Sequence, residues 1–114
     1  MLNKDLFFGV KIGNALRAEG FGVQFTPTTE AFVTAARLDR PNLGIIDLNA
    51  GPEWAAIRAL TAEGESPPIL VFGSHLDVDG LRAAKAAGVT RVVSNGEFHR
   101  NMLELVNRYV RPAR

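Results

Sequence analysis

The chain contains no cysteine, which excludes disulfides, thiol nucleophiles and cysteine-ligated zinc and fits a reducing, cytoplasmic setting. Charge of one sign is missing as well. Thirteen Lys and Arg stand against twelve Asp and Glu, a formal net charge of +1, so there is no field of the kind that draws nucleic acid or a membrane surface. Long apolar runs are absent: the opening Met1–Gly13 stretch is interrupted by Lys4, Asp5 and Lys11, and reads neither as a membrane span nor as a signal peptide. The glycine patterns GxGxxG and GxxxxGK[ST] do not occur, nor do the histidine spacings HxxxH, HxE and DxHxxG. Nucleotide cradles, paired-histidine metal sites and cobalamin binding therefore have no motif to rest on.

What is present is a regular alternation of apolar runs and amphipathic stretches. The 114 residues, 46% hydrophobic and 22% charged, suit one core and a single domain over residues 1–114. "DLFFGVKIGNALRAEG" predicts a helix with Leu6, Val10, Gly13 and Leu16 facing inward, Phe7, Phe8 and Ile12 widening that face, and Gly20 as its stop. "FGVQF", Phe21 to Phe25, alternates like a short strand. A second helix follows, capped by Thr26 or Thr28, turning Ala31, Phe32, Ala35 and Leu38 inward and ending at Pro41. "LGIID" is continuous and apolar, as befits a strand covered on both faces. Pro52 opens the next helix, with Trp54, Ile57 and Leu60 at helical spacing. "PILVFG" is another buried strand, followed by a helix with Asp77 as its cap and Gly88 as its stop, the segment "TRVVS", and a last helix with Phe98, Met102, Leu105, Val106 and Tyr109 inward.

Repeated strand-then-helix units imply a parallel sheet with helices on both sides. Such a fold opens with a strand, yet only Met1, Leu2 and Asn3 precede the first helix, against about five residues in a usual strand. The opening strand is truncated or missing.

The order of elements resembles the receiver domain of two-component response regulators. The resemblance spans essentially the whole chain and rests on "AEGFGV" after the first helix, "PNLGIIDL" around Asp47, "PILVFGS", and "LRAAKAAGVTRVV". It implies a flavodoxin-like (CheY-like) α/β fold, a three-layer α/β/α parallel sheet of strand order 2-1-3-4-5. It further implies that Asp47 stands at the phosphoacceptor position. The other positions of that site are degenerate. The acidic pair that holds magnesium falls on Asn3 and Lys4, with Asp5 one place late. The hydroxyl residue falls on Gly73, with Ser74 beside it, its side chain expected to point elsewhere because strand residues alternate faces. The lysine falls on Asn95 and the aromatic switch on Val92.

Magnesium wants hard anionic oxygens, and phosphoryl transfer is mostly positioning and electrostatics. The expectation is thus a pseudo-receiver without ordinary Asp47 phosphorylation, without catalysis and without cofactor, acting through an unidentified protein partner or as a homodimer. In this reading Lys4 replaces the cation, pairs with Asp47 and lowers its pKa. The alternatives are a phosphoacceptor receiver of a phosphorelay, using Asp47 with Asp5 and Mg2+, and a small domain binding an anionic ligand at its glycine-containing turns.

Further residues carry secondary expectations. His75 and His99 read as unpartnered histidines. Phe98, Leu103 and Val110, with Trp54 near the Asp47 loop, are candidate interface residues, and Arg100, Arg108 and Arg111 would rim the last-helix patch. The truncated first strand leaves three possibilities open: the Phe21–Phe25 strand slides over to pair with "LGIID", a second copy donates an edge, or residues ahead of Met1 in a longer chain supply the strand.

Overall fold

The computed structural model describes residues 1–112, apart from the side chain of Leu6, whose expected inward position lies outside the described residues. Its elements in order are α1 (Leu6–Ala18), α2 (Thr29–Asp39), β1 (Gly44–Asp47), a single 3-10 turn (Leu48–Ala50), α3 (Trp54–Thr61), β2 (Ile69–Gly73), α4 (Val78–Ala86), β3 (Arg91–Ser94) and α5 (Asn95–Tyr109). The three strands run parallel in the order β1-β2-β3, with Asp47 opposite Phe72 and Gly73 opposite Ser94. Their C-terminal ends are therefore level, and all side chains that leave them gather at one edge of the sheet.

Two apolar clusters make the layers. On one face Phe32, Val33 and Ala36 of α2, Ile57 and Leu60 of α3 and Ala84 of α4 pack on Ile46, Ile69 and Val71. On the other, Ile12 and Leu16 of α1 and Phe98, Leu105 and Val106 of α5 pack on Ile45, Leu70 and Phe72. Alternation along β1 and β2 sends successive residues to opposite clusters, which is why these strands read as unbroken apolar runs.

Helix ends follow their expected chemistry. Thr28 caps α2 through the Ala31 N–H, and Asp77 caps α4 through the Gly80 N–H. Gly20 and Gly88 adopt the left-handed conformation that ends α1 and α4. Glu53 is the residue that leads into α3, so Pro52 sits just ahead of the helix instead of in its first turn.

Three expectations need correction. The inner face of α1 is Gly9, Ile12, Gly13 and Leu16, while Phe7 is 89% exposed and Val10 57%. The face turns this way because α1 approaches its neighbours through glycines: a Cβ on Gly13 would lie 2.8 Å from the Phe25 ring. In α2 the buried positions are Thr29, Phe32, Val33 and Ala36, and Leu38 is 76% exposed. The Phe21–Phe25 segment forms no ladder of its own, because the strand that would pair with it is a stub. Leu2 is fully buried and bridges Thr26 on one side and Ile46 on the other, both in parallel. The stub keeps its place between its neighbours, so Phe21–Phe25 has not slid over to β1.

Candidate functional site

At the C-terminal edge of the sheet lies a pocket of about 290 Å³, lined among others by Asp5, Phe8, Asp47, Ser74, Asn95 and His99. Asp47 ends β1 and is only 7% exposed. One carboxylate oxygen accepts the Asn49 N–H at 2.9 Å and thereby starts the 3-10 turn. Burial pushes the Asp47 pKa up, and the charge of Asp5 adds to that. The Asn49 hydrogen bond and the charge of His99 oppose it.

The residues ahead of α1 divide differently from expectation. Asn3 is buried and its amide closes on the backbone of Asp5, donating to the Asp5 carbonyl at 2.8 Å and accepting the Asp5 N–H at 3.0 Å. Lys4 is exposed, and among the described residues no ion pair joins it to Asp47. The expected charge lock is absent, and the Asp47 pKa moves up where the lock would have lowered it. Asp5 is the acid that reaches this pocket; it also caps α1 through the Phe8 N–H at 3.1 Å. The Asn3 turn is what carries the acid one position along.

On β2, the space above Gly73 is filled by Leu48. Ser74, expected to face away, lines the pocket, and its hydroxyl accepts the Leu76 N–H at 3.2 Å. Asn95, the first residue of α5, lines the pocket without supplying a positive charge. Val92 faces the opposite apolar cluster, away from the pocket. His75 is exposed on the loop after β2.

Two lining residues had been read from the sequence without a place at this site. His99 packs edge-on against Phe8, with ring centroids 4.7 Å apart, and Asp77 lines the pocket while capping α4. Asn95 and His99 are four residues apart on one helix and so share a face, which was the available signal. Among the described residues, no three His, Asp or Glu side chains converge to hold a metal.

Of the candidate interface residues, Phe98 is fully buried and stacks on Phe72 with centroids 4.0 Å apart. It fastens α5 to the sheet and offers no surface. Leu103 packs partly buried on the α1–α5 cluster, Trp54 on the opposite one, and Val110 is half-buried after α5. Arg100 is exposed, Arg108 pairs with Glu104 at 3.2 Å, and Arg111 donates to the Ser66 carbonyl at 2.6 Å.

No protein-family model matches the sequence, and no curated protein matches it. Solved structures do match in shape. A response-regulator receiver domain from Bermanella marisrubri has a TM-score of 0.81 at 19% identity, over 95% of this chain and 92% of that one. The receiver domain of a signal transduction histidine kinase from Syntrophus aciditrophicus gives 0.82 at 15%, over 95% and 85%. The chemotaxis protein CheY4 of Vibrio cholerae gives 0.78 at 17%, over 96% and 94%. The fold is thus the CheY-like, flavodoxin-like α/β fold, with its first strand reduced to a stub.

Proposed function

We propose that the chain is a degenerate receiver-like signalling domain over residues 1–114, working in the cytoplasm through contact with a protein partner, without catalysis and without ordinary phosphorylation of Asp47. The shared fold of receiver domains supports a signalling role. The observation that carries the degenerate reading is the charge make-up of the pocket: three carboxylates, Asp5, Asp47 and Asp77, line it with no lysine or arginine among its lining residues. Each of these carboxylates is already bonded to a backbone N–H, and burial favours the neutral form of Asp47. Each acid keeps its second oxygen, so the carboxylates themselves suit a hard cation; what the pocket lacks is a positive side chain to pair with a phosphoryl group, since Asn95 stands at the strand end where the lysine would be.

One observation favours the second reading, a phosphoacceptor receiver. Asp5 and the Ser74 hydroxyl share the pocket with Asp47. The two readings separate in an amide NMR titration with magnesium followed by beryllofluoride, a phosphoryl mimic, with Asp47→Asn as control. The degenerate reading expects no saturable shift at Asn49 and Ser74 on addition of beryllofluoride. A saturable shift that disappears in the variant would establish the phosphoacceptor instead.

A further inference from the structure

The three acids of the Asp47 pocket are held alike. Each accepts one backbone N–H on its Oδ1: Asp5 from Phe8 at 3.1 Å, Asp47 from Asn49 at 2.9 Å and Asp77 from Gly80 at 3.0 Å. Among the described residues nothing donates to their second oxygens, and none of the three enters an ion pair. The second oxygen of Asp47 is the informative one. Its residue is only 7% exposed, yet among the described residues no side-chain oxygen is sealed in without a partner. That oxygen therefore opens onto the pocket, and its own chain supplies no donor there.

The surroundings are negative and partly apolar. Lys4 and Arg100 are exposed and do not line the pocket, and His99 is the one lining residue able to carry positive charge. The helices start at this edge of the sheet: Glu30, Asp79 and Glu97 stand in the first turns of α2, α4 and α5, while the last turn of every α-helix, at the far edge, carries Lys or Arg. A chain of net charge +1 is thereby polarised, with a negative edge that draws a positively charged group. Of the five large apolar side chains exposed among the described residues, Phe7, Leu76 and Val78 adjoin the lining residues Phe8 and Asp77 in sequence.

Resting on the partner-contact reading above and deepening it, we propose that this pocket receives the side chain of an arginine from a protein partner, flanked on that partner by apolar residues. A metal ion needs donors that converge on one point, and among the described residues no three His, Asp or Glu side chains do so. A guanidinium suits separated acceptors, because its planar fork presents several N–H groups and its face stacks on aromatic rings. The free oxygens of Asp47 and Asp5 take its N–H groups, and Phe8 takes its face. The arriving charge also relieves Asp47, which burial and Asp5 push towards the neutral form. Phe7, Leu76 and Val78 meet the apolar neighbours of the arginine and keep water from the ion pair.

The probe is the peptide acetyl-Leu-Arg-Leu-amide, titrated into the 114-residue chain and followed at the amides of Asn49, Ser74 and Gly80. Its citrulline counterpart, similar in shape but uncharged, is the control. The arginine peptide is expected to give saturable shifts at these amides, and citrulline to weaken binding about tenfold or more. Asp47→Asn keeps an acceptor for the Asn49 N–H and should weaken binding by a similar factor. Phe7→Ser should weaken it less and leave the pattern of shifts in place. No saturable shift with the arginine peptide, equal binding of the two peptides, or binding indifferent to Asp47→Asn overturns the proposal. Beryllofluoride added to a separate sample distinguishes the two levels. A saturable shift lost in Asp47→Asn overturns the degenerate reading itself, whereas a flat trace beside failed peptide binding overturns the arginine alone.

Discussion

Leu48 lies over Gly73, so that a Cβ built on the glycine would come 2.5 Å from Leu48 Cδ2 and 2.6 Å from Leu48 Cβ. Both residues are buried, Leu48 directly after Asp47 and Gly73 at the end of β2. The hydroxyl that a receiver carries at this strand end has no room here until Leu48 moves. Replacement of Gly73 by Ser is therefore expected to destabilise the protein by about 1–3 kcal/mol, the usual cost of overpacking. Leu48→Ala alone should cost about 2–5 kcal/mol. In the double variant the serine gains the space of the Leu48 Cγ and Cδ atoms but still meets the Cβ that alanine keeps, so the coupling is favourable and small, about 0.5 kcal/mol in urea unfolding. Strict additivity would mean that Leu48 does not hold that space.

Asp47 predicts a pH dependence of definite sign. Its folded pKa lies above the unfolded value near 3.8 because burial disfavours the carboxylate. Between those two values the native state holds the proton more tightly, so stability falls as pH rises through the window, and the penalty is complete above the folded pKa. Asparagine keeps the oxygen that accepts the Asn49 N–H and removes the charge. Asp47→Asn should be more stable than the parent at neutral pH, with the advantage shrinking as pH falls towards 4. An advantage that is flat with pH would contradict this account.

The neighbours of Asp47 push in opposite directions. Asp5 raises its pKa and His99 lowers it. Asp5→Asn should accordingly move the Asp47 titration to lower pH, and His99→Ala should move it to higher pH, read from the side-chain carboxyl carbon shift. Movement in the same direction in both variants would show that repacking around Phe8, not charge, dominates the site.

Much of this arrangement was legible from local chemistry. Asp47 at the end of an apolar run, Thr28 and Asp77 as caps, and Gly20 and Gly88 as stops all follow from rules that act within a few residues. The phase of α1 was hidden because the helix meets its neighbours through Gly9 and Gly13, where close approach replaces side-chain hydrophobicity, leaving the conspicuous Phe7 outside. Lys4 was misplaced for a related reason. The backbone turn held by the Asn3 amide decides which of three consecutive side chains enters the pocket, and sequence register alone assigned the wrong one. His99 needed the tertiary contact of α5 with α1 through Phe8 before its position beside Asp47 had meaning.

The Met1 amine supplies a separate pH signature at the other end of the stub. Its pKa falls from 8.0 to about 6 on folding because burial removes water from the ammonium. The unfolded chain therefore binds more protons than the native one between those values, so stability rises with pH from about 6 to about 8 and is level on either side of that window. The amplitude is about 1–3 kcal/mol, since a tenfold change in proton affinity corresponds to about 1.4 kcal/mol and the amine keeps some contact with solvent. Urea unfolding at pH 5.5, 7 and 8.5 (values set roughly by that window) should show the rise in the 114-residue chain. An N-terminally acetylated chain lacks the titrating group and should show none of it. A rise that persists after acetylation would place the titrating group elsewhere and leave the Met1 ammonium without an energetic role.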